Sequence, residues 1–224
     1  MFKEEELTKY KIDYNDSITI NHTTTVYRIV SLKNFNDIKK GQKGGFVESY
    51  RNLSNEGNCW IYDNAIVCDF AKICGNAEIH HKAIISDYAK VYGNAKIYNY
   101  TQISDYAEVY GNVELRDYVN VHDHSKVYGD AHIYDHVDIA DHADVYDNAE
   151  LQDYAKIYDY AIICGNATVF KHAKVHDGAK VHDGACIDDY ADVYDNAEIR
   201  GSSIIYKNAK ICGDALILNQ NIKK

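Results

Sequence analysis

Every sixth residue from Ile61 to Ile217 is aliphatic, 27 in succession without a gap. Two positions before each stands a small residue, alanine in most hexads, with Cys59, Thr101, Val113, Val119, Ser125, Val137 and Ser203 as the departures. A register held this long excludes an ordinary globular core. It demands a repeat architecture in which each unit buries its apolar face only against its neighbours. The composition carries the same imprint: no proline, one methionine, one tryptophan and 21 tyrosines in 224 residues.

Strand geometry turns the period into a shape. Residues two apart in a strand face the same side. The small residue and the aliphatic therefore both point inward, and the residues beside them point out. Gly, Asp or Asn, followed by Asn, Tyr, His, Asp or Gly, fills the rest of each hexad, and these are turn residues, several of them tolerant of positive φ. Each hexad is a short strand and a corner. A second period counts the corners: Gly57, Gly75, Gly93, Gly111 and Gly129 lie 18 apart. Three hexads thus close one triangular coil. The 27 hexads amount to about nine coils, stacked at ~4.8 Å into a prism roughly 43 Å long.

This pattern of aliphatic-x-x-x-Ala-x, three to a turn, resembles the hexapeptide-repeat family, and the resemblance implies a left-handed parallel β-helix. The approach segment Gly44-Gly45-Phe46-Val47-Glu48-Ser49, with Asn52 to Trp60 after it, is similar to uncharacterised bacterial and prophage hexapeptide proteins labelled transferases. The expected organisation is all-β: a small N-terminal β cap over residues 1–45, the solenoid over 46–218 and a polar tail over 219–224. Ser17 to Ile20 and Tyr27 to Leu32 read as the strands of the cap.

Charge and cysteine usage bound the partners. Net charge is −10, and residues 1–58 are near neutral with nine basic and eight acidic side chains, so the solenoid carries the acidity. Direct binding to nucleic acid or to an anionic membrane is not expected. No apolar run approaches the length of a membrane span, and the N-terminus lacks the apolar core of a signal peptide. The six cysteines form no C-x-x-C pair. Free thiols in a reducing bacterial cytoplasm are the expectation.

The resemblance implies two chemistries, and the residues match neither well. Hexapeptide acyltransferases use a histidine base and a loop that interrupts the coils, whereas here every hexad from 59 to 218 is unbroken. The zinc enzymes of this fold take two histidines five apart, a spacing this chain lacks. No catalytic residue, metal ligand or cofactor is assigned. Three surface features remain. Asp69, Asp87, Asp105, Asp123, Asp141, Asp159, Asp177 and Asp195 form one corner column, 18 residues apart. Turn chemistry accounts for aspartate there, and a row of carboxylates also imitates nucleic acid phosphate. Tyr92, Tyr110, Tyr128 and Tyr146 form a column on one flat face. Outward-facing Ile66 and Ile84 offer an apolar patch for self-association into a homo-oligomer. The expected function is a non-catalytic binding or scaffold protein of bacterial or phage origin. In one version it inhibits a host nucleic-acid-binding or defence protein by occupying its basic groove. The alternative is a CoA- or acyl-carrier-dependent acyltransferase acting in an inter-subunit groove.

Overall fold

A computed structural model describes residues 8–223. Strands β1 (Tyr10–Ile20), β2 (Thr24–Ser31) and β3 (Lys43–Val47) are followed by short strands from β4 (Trp60–Ile61) to β31 (Asn221–Lys223), with no helix among the described residues. They form three sheets of 12, 10 and 9 strands. Within the solenoid each strand pairs parallel with the one three strands later, as Ile61 with Ile79 and Ile79 with Ile97. The molecule is a three-faced parallel β-solenoid of about ten turns, consistent with the triangular left-handed β-helix. The first turn is the irregular one that carries Val47 and Leu53, both buried.

The inward columns behave as their period requires. From Ile61 to Ala209 the corner alanines and the aliphatics on the faces are solvent-free in one continuous cluster, and Ala215 and Ile217 are only partly buried. Where a hydroxyl replaces alanine, it is satisfied locally: Thr101 Oγ1 donates to the Tyr98 carbonyl at 2.9 Å, and Ser125 Oγ to that of His122 at 2.6 Å. Each corner places a residue at positive φ, 54° at Asp69 and 56° at Asp87. On the third corner glycine alternates with Asp147, Asp183 and Asn219, all at positive φ; at Gly57, φ 69°, a Cβ would sit 2.2 Å from the Gly75 carbonyl oxygen.

The N-terminal region closes the prism. Strands β1 and β2 form an antiparallel hairpin, β2 pairs with β3, and β3 pairs parallel with β5 (Ile66–Val67), so the hairpin extends the 12-stranded sheet. Tyr10, Ile29 and Ile38 pack with Trp60 and Cys59 in the same cluster as the solenoid interior. Lys9 plugs the end. It is buried, and its Nζ donates to the carbonyls of Cys59 at 2.8 Å and Gly57 at 3.4 Å, with the Cys59 Sγ at 3.2 Å. The first seven residues of the expected 1–45 cap lie outside the described residues.

Part of the stretch read as a polar tail, Asn221–Lys223, forms strand β31. Strand β31 pairs parallel with β28 (Ile204–Tyr206), placing Ile222 beside Ile205. That step is 17 residues, not 18, so a strict six-residue scan passes over Ile222 and ends at Ile217.

Burial lowers the pKa of Lys9 below its ordinary 10.5. A lysine with a lowered folded pKa binds fewer protons folded than unfolded, so its contribution to stability rises with pH from the lowered value up to 10.5. Replacing Lys9 by Met leaves two carbonyls without their donor, a loss of about 1–3 kcal/mol. Thermal melts of Lys9→Met against wild type should show a Tm deficit that widens between neutral pH and pH ~10.

Candidate functional surfaces

The aspartate column occupies the corner between the 12- and 9-stranded faces, and all eight members lie at positive φ, between 54° and 58°. Asp and Asn adopt this region more readily than other non-glycine residues. Its geometry turns the corner N–H away from the ladder, and the carboxylate one coil earlier accepts it. Asp105 N donates to Asp87 Oδ2 at 3.5 Å, Asp159 N to Asp141 Oδ2 at 3.1 Å and Gly213 N to Asp195 Oδ2 at 2.9 Å. The first member, Asp69, donates its N–H to Glu48 at 2.6 Å. The next corner repeats the device, with Lys171 N on Asp153 at 3.1 Å and Lys207 N on Asp189 at 3.0 Å. A structural cause for aspartate at every rung is thereby on hand.

Beside each Asp column runs a column of rings. Phe70, Tyr88, Tyr106, His124, His142 and Tyr160 stack with centroids 4.8–5.1 Å apart. These rings are exposed, Tyr106 at 52% and Tyr160 at 65%. A second exposed stack, from Tyr100 through His136 to Tyr190, follows the other corner. Face-to-face stacking covers the ring planes and leaves their edges and hydroxyls outward.

Tyr92, Tyr110, Tyr128 and Tyr146 stack at 4.8–5.0 Å on the nine-stranded face. Burial, followed by the carboxylate of Glu108, raises the Tyr92 phenol to about 12, and burial with Asp144 does the same for Tyr128.

Ile66 and Ile84 are placed differently from the sequence expectation. Ile66 points outward, but the β1–β2 hairpin folds over it, and it is buried with Val26, Phe46 and Cys68. Arg28 lies over the Phe46 ring at 3.9 Å and donates to the Gly44 and Asp63 carbonyls at 2.8 and 2.6 Å, holding the hairpin down. Ile84 packs at the margin of this cluster and floors a recess of about 450 Å³ beneath the hairpin turn at Ile20, Asn21 and Thr24. The chain's own hairpin covers this patch, so Ile66 is not free to meet a second chain.

Sequence reasoning missed a concavity of about 530 Å³ on the ten-stranded face, lined by Glu114, Arg116, Asp117, His132, Tyr134 and Glu150. His132 Nδ1 lies 3.6 Å from Glu114 Oε2, Arg116 Nε donates to Glu114 at 3.0 Å, and Tyr134 hydrogen-bonds Glu150. Arg116 creates the hollow. In its column Tyr62, His80 and Tyr98 stack ring on ring, and Arg116 then stands where the next ring would, its guanidinium 5.4 Å from the Tyr98 centroid. The signal was available: Arg116 is the sole arginine between residues 52 and 199.

A phenol whose folded pKa is raised holds its proton better folded than unfolded. Its stabilising effect is complete below the unfolded value of 10.0 and is lost as pH climbs through the folded value near 12. Tm should therefore fall steeply between pH 10 and 12, and tyrosinate absorbance should develop later in the folded than in the urea-unfolded protein.

No known family's sequence profile matches the chain. One 49-residue stretch is 45% identical to the uncharacterized acetyltransferase YdcK of Escherichia coli (strain K12), covering 21% of this chain and 15% of that protein. The match therefore spans less than a sixth of the relative's length. This weak similarity and the stacked parallel strands together fit a hexapeptide-repeat β-helix family whose members carry a transferase label.

Proposed function

We propose that the chain is a non-catalytic binding scaffold, a rigid acidic prism that meets a basic protein along its Asp-and-ring edges. The observation that supports this is the way the edge carboxylates are used. In all eight column aspartates the hydrogen bond to the neighbouring coil employs Oδ2. No hydrogen bond among the described residues engages their Oδ1, so a fixed row of acceptor oxygens remains for a partner. A rigid row steers and orients a basic groove at little ordering cost. A bacterial nucleic-acid-handling or defence protein, met by a chain of bacterial or phage origin, is the partner class whose groove has that charge.

The test separates charge from architecture. Asparagine also tolerates positive φ, and its Oδ1 can accept the corner N–H, so Asp87→Asn, Asp141→Asn and Asp195→Asn combined remove three charges and keep the fold. The expected result is a basic partner captured from bacterial lysate at low salt, released at high salt, and bound at least about tenfold more weakly by the triple variant. Equal affinity in the triple variant, or no basic partner at either salt, overturns this reading.

Acyl transfer is a second reading, favoured by His132 beside Glu114 in the 530 Å³ concavity and by the name of the similar E. coli protein. Glu114 would orient the imidazole, whose other nitrogen would take the proton from an acceptor hydroxyl or amine attacking a thioester. It predicts a CoA-dependent rise in Tm and a loss of transfer of about 10²–10⁴-fold in His132→Gln. A melting curve insensitive to CoA counts against it.

A further inference from the structure

Two histidines are set into the acidic edge in the same way. Asp105, His122, Asp123 and Asp138 recur 54 residues on as Asp159, His176, Asp177 and Asp192, three coils away. At the histidine's place the neighbouring coils carry Ser86, Ser104, Ala140, Tyr158 or Tyr194, none of them a nitrogen donor. His122 Nε2 lies 3.1 Å from Asp138 and its Nδ1 2.7 Å from Asp123; for His176 the distances to Asp192 and Asp177 are both 3.0 Å. The upstream carboxylate, Asp105 or Asp159, completes each group, with one donor atom from each of the three residues inside 4.8 Å.

An imidazole with one ring proton can satisfy only one of two flanking carboxylates. When Asp138 or Asp192 takes the Nε2 proton, Nδ1 presents a lone pair toward two carboxylate groups. The carboxylates each take a corner N–H on Oδ2, but Nδ1 then faces Asp123 or Asp177 acceptor to acceptor, a contact that a second ring proton or a bound cation resolves. The outer carboxylate is also the usual partner that fixes the tautomer of a metal-bound histidine. We propose that Asp105–His122–Asp123 and Asp159–His176–Asp177 are two equivalent divalent-cation sites that take zinc. One nitrogen and two carboxylate oxygens suit zinc better than calcium or magnesium, which prefer all-oxygen shells. Zinc bonds of about 2.0–2.2 Å set donor atoms ~3.4 Å apart in a tetrahedron, a small adjustment for side chains at the surface, with water as the fourth ligand. Each ion would tie one coil to the next.

The fold supplies its own control. His182 sits likewise between Asp183 at 3.4 Å and Glu198 at 3.2 Å, but Gly165 occupies the upstream place of Asp105 and Asp159, so the third ligand is missing.

The test is a calorimetric Zn²⁺ titration of the EDTA-stripped chain near neutral pH, with thiols blocked. Relative to wild type, His122→Gln and His176→Gln should each bind one fewer equivalent and the double variant two fewer, whereas His182→Gln binds the wild-type number. Circular dichroism melts without metal establish that the variants are folded. Zinc should raise the Tm of wild type and lose that effect in the double variant. Unchanged stoichiometry in the double variant, or a loss in His182→Gln equal to that in His122→Gln, overturns the proposal.

Discussion

At each corner of this solenoid one backbone N–H has no carbonyl to meet, because the chain turns through positive φ there. Everything outward from the core depends on how that donor is satisfied. On two corners the usual answer is a side-chain oxygen from the coil before, as from Asp87 to Asp105 or Asp153 to Lys171, and the third uses it at Asp147 and Asp183. Elsewhere on the third, glycine takes the corner, and a Cβ at Gly57 would meet the Gly75 carbonyl oxygen. The requirement recurs at each coil, at corners that are exposed or half-buried. That recurrence sets Asp columns across the whole length of the molecule.

Such a column carries a penalty, and magnitudes decide that it is tolerated. Two unit charges ~4.8 Å apart repel by only about 0.9 kcal/mol in water, and salt reduces this further. A hydrogen bond to a charged group contributes about 1.5–3 kcal/mol. The N–H contact therefore outweighs repulsion from a neighbour, and identical acids can stack. Aromatic rings stack for a related reason: parallel strands in register bring equivalent side chains to ring-stacking distance, 4.9 Å for Tyr88 and Tyr106. Columns of like residues are thus what the coil geometry favours by default. The informative positions are those that break a column, such as Arg116 in a row of rings or His122 and His176 among serine, alanine and tyrosine.

The solenoid was readable from the sequence because its interior is one-dimensional. Val67 pairs with Ile85 one coil on, so a local period reports the tertiary contact. The reading failed where that condition fails. Ile222 joins its sheet after a step one residue short, which a fixed period cannot follow. Ile66 faces outward as strand alternation requires, yet the hairpin, which obeys no hexad, folds over it. The His132 hollow was missed for another reason. Its residues are ordinary outward side chains, and only the shape Arg116 adopts beside Glu114 makes a cavity of them.

The hairpin and Lys9 address a weakness that the repeats cannot address themselves. A parallel stack ends in unpaired strand edges and an open apolar bore, and an interior coil has no residue suited to cover either. At the N-terminal end strand β2 runs antiparallel to β3 and takes up its edge, while Lys9, with Tyr10 and Trp60, fills the bore and supplies donors to otherwise free carbonyls. A lysine succeeds there because its stem is apolar and its amine can serve two carbonyls and a thiol at once. At the other end Leu216 and Leu218 are exposed and Ile217 is only partly covered. Regularity therefore stabilises the middle of the prism, and its departures from regularity govern what happens at the ends and on the surface.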